Sequence, residues 1–213
     1  IRADNKNVNN SGTVRIYGAG TAISAENGNI VNNSGGGITM VISGAADSYG
    51  IYLAGRGSNT LTNNATVKVN RSSAYAEGKK AVALYAENGS INNSGALEVG
   101  AKDAVINGGI GIETDGGNVT NGGTITVYGN GSVLNGQNGN VTNNEKGQLN
   151  IYTDGKASAY GIYLAGSTGN TITNKASIFI NRYGAYAQAA STGNYGIWTD
   201  NAKIVNSGDI SLG

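Results

Sequence analysis

Over short runs the chain alternates apolar and polar residues: Val14 and Ile16 within Gly12-Thr13-Val14-Arg15-Ile16-Tyr17, then Val67 and Val69, Ile125 and Val127, and Ile210 and Leu212. A period of two in β-branched residues predicts strands with one buried face. Ahead of each run stands a second signal, an apolar residue two places before an Asn, as in Val8-Asn9-Asn10, Leu61-Thr62-Asn63, Val119-Thr120-Asn121 and Ile172-Thr173-Asn174. A third apolar run completes the unit, as in Gly50-Ile51-Tyr52-Leu53, Val82-Ala83-Leu84-Tyr85, Gly161-Ile162-Tyr163-Leu164 and Gly196-Ile197-Trp198-Thr199. Each unit therefore predicts three short strands joined by Gly- or Ala-containing turns.

The marker Asn residues are Asn10, Asn32, Asn63, Asn93, Asn121, Asn143, Asn174 and Asn206, at steps of 22, 31, 30, 28, 22, 31 and 32. On a longer scale, residues 12–71 align without a gap on 123–182 with nearly half of the positions identical, and Tyr49-Gly-Ile-Tyr-Leu-Ala-Gly55 recurs whole at 160–166. Two extra residues in the second copy extend the match, so that 12–99 resembles 123–212 as a duplicated four-rung block.

Three strands per unit, stacked unit on unit, predict an all-β chain folded as a right-handed parallel β-helix, because crossovers between parallel neighbours are overwhelmingly right-handed. About seven rungs at ~4.8 Å per strand give a rod of roughly 35 Å. Register then places Val14, Ile38, Val67, Leu97, Ile125, Leu149, Ile178 and Ile210 in one interior column. The Asn residues are expected to turn inward at a bend and bond one another in a ladder, with the adjoining Gly supplying positive φ at a tight corner. The first turn begins mid-repeat and the last strand runs to Gly213. Solenoids need polar caps, so a piece of a longer solenoid is expected, with 1–213 as one unbroken helix.

Composition agrees with a thin, ladder-built interior: 36 Gly, one Phe, one Trp and no Pro among 213 residues, but 38% hydrophobic and only 13% charged, which is unlike a disordered chain. With neither Cys nor His, thiolate and imidazole metal sites and His-based triads are excluded. A net charge of +1 gives no electrostatic footprint for nucleic acid, and no apolar stretch approaches the ~20 residues of a membrane span.

The Asn-Ser-Gly strand starts, Asn10-Ser11-Gly12, Asn93-Ser94-Gly95 and Asn206-Ser207-Gly208, resemble those of autotransporter passenger domains. The Tyr-Gly-Ile-Tyr and Asn-Tyr-Gly-Ile-Trp segments look like those of very large autotransporter adhesins. The likeness covers essentially the whole chain and rests on residues that build rungs. It implies a Gram-negative surface protein of type V secretion, exported through an outer-membrane barrel outside these residues and used in adhesion, aggregation, biofilm formation or toxin delivery. The partner it implies is a surface protein or glycan of a host or bacterial cell. A toxin-type passenger, or a polysaccharide-acting enzyme on the same fold, is the alternative.

Enzymes of that kind need two or three converging carboxylates, whereas the acids here fall mostly one to a rung. Glu26, Glu87, Asp115, Gln137 and Asp200 form one column, read as solvated turn residues, and Lys68 with Glu98 as a surface ion pair across adjacent rungs. No catalytic residue, metal or cofactor is predicted. The candidate ligand-binding residues are aromatic: Tyr52 faces outward with Ser24, Tyr85, Glu113, Asn135, Tyr163 and Trp198 as its rung equivalents. Tyr52 beside Tyr85, and Tyr163 beside Trp198, would offer a flat aromatic platform to a sugar or a protein. Variable loops 71–80 and 182–193, each with an Ala-Tyr-Ala triplet, add Tyr75 and Tyr186.

Overall fold

The computed structural model describes residues 1–55, 58–153, 157–166, 168–182 and 193–213. Among the described residues the strands fall into three sheets of eight, and within each sheet neighbouring strands are equivalents from consecutive units. All of these pairings are parallel. The chain is thus a β-solenoid of about seven turns, each turn giving one strand to each sheet. The first sheet contains Thr21–Glu26, Ser48–Ala54, Ala81–Ala86, Gly109–Thr114, Gly131–Gly136, Ala159–Leu164 and Asn194–Thr199, with Arg2–Asp4 at its start.

The interior is built as the periodicity requires. Val14, Ile38, Val67, Leu97, Ile125, Leu149, Ile178 and Ile210 pair in one unbroken column of the third sheet. Ile51, Leu84, Ile112, Leu134 and Ile162 form the facing column of the first sheet, all fully buried. Stacked aliphatics of similar size bury their flanks on one another, so a single column supplies apolar contact without large aromatic residues.

The second sheet ends on the Asn ladder. Each Asn donates from Nδ2 to Oδ1 of the Asn on the next rung, at 2.7 to 2.9 Å, from Asn10 to Asn206. Most also donate to the carbonyl two residues on, as Asn63 does to Ala65 and Asn121 to Gly123. The buried amides are therefore satisfied. The glycines beside them do not have the expected positive φ, which is found instead at Gly18, Gly20, Gly129 and Gly131 in the turns leading to the first sheet. At Gly123 the requirement is space: a Cβ there would run into the Gly95 carbonyl and come within 3.0 Å of Asn93 Nδ2.

A departure from strict alternation shapes the first sheet. In Ser48–Ala54 both Gly50 and Ile51 are buried in succession, so Tyr49 and Tyr52, three apart, both face out. The register pairs Tyr49 with Val82 and Tyr52 with Tyr85. Gly50 leaves room for the third sheet, since a Cβ would lie 2.6 Å from Val67 Cγ1 and 2.6 Å from the Ala83 carbonyl. Gly111 occupies the equivalent place against Ile125.

Candidate functional site

The outer face of the first sheet carries three columns of side chains. One holds Thr21, Tyr49, Val82, Ile110, Ser132, Tyr160 and Tyr195. The middle one holds Arg2, Ser24, Tyr52, Tyr85, Glu113, Asn135, Tyr163 and Trp198, in the order read from the sequence. Acids Asp4, Glu26, Glu87, Asp115 and Asp200 stand in the third.

Among the described residues, the aromatics of this face gather in two clusters, and a third group, Tyr128, Tyr152 and Phe179, stands on the third sheet. In the first, Tyr52 lies 5.1 Å from Tyr85, and Tyr49 lies 5.2 Å and 5.3 Å from the two. In the second, Tyr163 and Trp198 stack at 4.5 Å with only 3° between their planes, and Tyr160 and Tyr195 stack at 5.2 Å and 9°. The parallel rings of the second cluster cover one another's faces, whereas in the first Tyr52 and Tyr85 are tilted by 30° and Tyr49 meets Tyr52 edge-on at 64°, so neither cluster is the flat platform expected. Tyr85 is only 8% exposed, closed in by Tyr49, Tyr52 and Lys80, whose Nζ lies 5.6 Å from its ring centroid. Tyr75 is likewise not a loop residue open to a partner. The strand Val67–Tyr75 runs through the supposed loop, and Tyr75 is 7% exposed and donates its hydroxyl to the Lys79 carbonyl at 2.8 Å. Tyr186 lies outside the described residues.

In the acid column Glu26, Gln137 and Asp200 are exposed as expected, but Glu87 and Asp115 are half-buried and bonded. Tyr52 donates its hydroxyl to Glu87 Oε1 at 2.8 Å, and Tyr85 to Asp115 Oδ2 at 2.6 Å, each reaching one rung forward. Burial first, and the neighbouring carboxylate second, raise the pKa of both phenols. The bonds fix the ring angles and occupy the acids. Lys68 and Glu98 pair at 3.3 Å, as expected, on a different sheet.

Sequence reasoning placed Glu113 in the middle column but missed its burial and its ion pair. It takes the aromatic column's place on a rung without an aromatic ring, is 3% exposed, and accepts from Lys80 Nζ at 2.9 Å and from Asn135 Nδ2 at 3.4 Å, while its Oε2 is buried without a partner. Burial raises its pKa, and the Lys80 bond opposes that rise without cancelling it. Because the folded carboxyl holds its proton more tightly than the unfolded one, stability attributable to it grows as pH falls. Relative to Glu113→Gln, the native protein should therefore gain stability between about pH 7 and pH 4. Paired urea titrations across that range check this, and a difference moving the other way would show a carboxylate that the fold favours as the anion.

No protein-family profile, curated protein or solved structure matches the chain. Among the described residues no group of three acids is placed to hold a metal ion.

Proposed function

We propose that this chain is an extracellular adhesive stalk segment of an autotransporter passenger, extending a rod from the cell surface and contacting a host or bacterial surface protein or glycan through the outer face of its first sheet. The observation that carries this reading is the aromatic clustering on that one face in both halves, Tyr49 with Tyr52 and Tyr160 with Tyr163. Repeated weak sites on a stiff rod favour attachment by avidity. Glu87, Asp115 and Glu113 on this face are tied to Tyr52, Tyr85 and Lys80, which supports recognition over catalysis. On this reading membrane anchorage belongs to a barrel outside these residues.

Beads coated with the protein should attach to cultured epithelial cells or to bacterial cells. Beads bearing Tyr52→Ser with Tyr163→Ser should lose most of that attachment while keeping the native far-UV circular dichroism. Equal attachment by both proteins would leave the chain as a spacer only.

A further inference from the structure

In each cluster the rings shield one another, tilted by 30° between Tyr52 and Tyr85 and parallel between Tyr163 and Trp198, so an aromatic face is left open where a cluster adjoins a rung without rings. Each stack begins where a rung of small residues meets a rung of tyrosines: Thr21 and Ser24 below Tyr49 and Tyr52, and Ser132 and Asn135 below Tyr160 and Tyr163. At the first step the structure has a cleft of about 630 Å³, with Ser24 and Thr21 among its lining residues and Tyr49 and Tyr52 beside them. That volume suits a small ligand of one or two rings.

Charge narrows the class of ligand. Asp4, Glu26, Asp47 and Glu87 line the cleft against a single guanidinium, Arg2. Arg2 is already committed, at 3.1 Å from Asp4 and 3.9 Å from Glu26. An anionic ligand therefore meets repulsion. The carboxylates are not bare charges awaiting a cation either, since Glu87 accepts from the Tyr52 hydroxyl and Asp47 from the Lys80 backbone N–H. They present oriented acceptor lone pairs, the Ser24 and Thr21 hydroxyls can donate or accept, and the tyrosine rings offer an apolar surface between them. A group with C–H bonds on one face and hydroxyls around its edge satisfies all three.

We propose that the step at Ser24 and Tyr52 is a subsite for one pyranose of an uncharged glycan, and that the step at Asn135 and Tyr163 is its counterpart on the same face. Four rungs separate the two, about 19 Å at ~4.8 Å per rung, so one linear glycan lying along the rod engages both. At the second step Glu113, paired with Lys80, stands where the first has Arg2. This inference rests on the adhesive reading and specifies its ligand.

The test fills the steps without removing an aromatic. Ser24→Tyr with Asn135→Tyr adds a ring to the start of each stack, covering the open faces at outward positions. Saturation-transfer NMR and calorimetry would use cellohexaose, β-1,4-galactohexaose and mannohexaose, with oligogalacturonate and hexalysine as charged comparisons. At least one neutral hexasaccharide should bind the native protein, with transfer from tyrosine protons and weaker or no signal from the charged probes. The double variant should lose about tenfold or more in affinity with no loss of thermal stability, and either single variant should lose less. Binding that survives the double variant, preference for oligogalacturonate or hexalysine, or no binding by any neutral hexasaccharide would overturn the proposal. If cell attachment is lost in Tyr52→Ser with Tyr163→Ser but kept when the steps are filled, the adhesive reading stands and the sugar subsites fall.

Discussion

Asn121→Leu is expected to cost the fold about 2–6 kcal/mol, because two buried polar groups lose their partners at ~1–3 kcal/mol each. Asn121 is fully buried and sits mid-ladder. It accepts from Asn93 at 2.8 Å and donates to Asn143 at 2.9 Å and to the Gly123 carbonyl at 2.9 Å. Leucine leaves Asn143 Oδ1 and the Gly123 N–H, which donates to Asn121 Oδ1 at 3.3 Å, facing an apolar side chain where no water can replace the amide, while the Gly123 carbonyl keeps the Gln148 N–H at 3.1 Å. Asn206→Leu provides the contrast. Asn206 is exposed and accepts from Asn174 at 2.8 Å, so water compensates and the loss should stay below about 1 kcal/mol. Guanidinium unfolding followed by circular dichroism separates the two, and equal midpoints for them would show that the ladder does not hold the rungs together.

The second large effect is expected from Gly50→Val, at about 2–3 kcal/mol, the range of overpacked cores. Val67 Cγ1 could retreat by rotation, but the Ala83 carbonyl belongs to the next rung and is held by the strand pairing. The strand must then move outward, carrying Tyr49 and Tyr52 apart. Loss of the tyrosine near-UV signal alongside the lowered midpoint is the expected pair of observations. A variant that keeps both would mean that the bend at Gly50 is not what brings the two rings to one face.

The rungs were legible because one residue type returns to one place. Asn at steps of 22 to 32 fixes the register, and register fixes every column, so the Lys68–Glu98 pair and the order Ser24, Tyr52, Tyr85, Glu113 could be read before any coordinates. Strict alternation hid Tyr49, which it assigns to the face opposite Tyr52. The available signal was the glycine or other small residue between them, repeated at Gly50, Ala83, Gly111, Gly161 and Gly196. The tyrosine-to-acid bonds run diagonally, from one column to its neighbour on the next rung, and reading columns one at a time does not reveal a diagonal. Glu113 and Lys80 are 33 residues apart, and Lys80 lies outside the strands, where the repeat assigns no fixed position. Their pairing had no periodic marker.

The ladder has one further property, a direction. In every step from Asn10 to Asn206 the amide nitrogen points toward the later rung and the oxygen toward the earlier one. Amide groups carry dipoles of about 3.5 D, and head-to-tail alignment adds them as it does along an α-helix. A fold with no helix among its described residues thus acquires an axial dipole buried in its wall, positive toward Asn206, and successive bonds polarise one another so that interior links are stronger than terminal ones. Within the described residues the ladder is therefore electrically unlike at its two sides, with an acceptor facing the rungs before Asn10 and a donor facing those after Asn206.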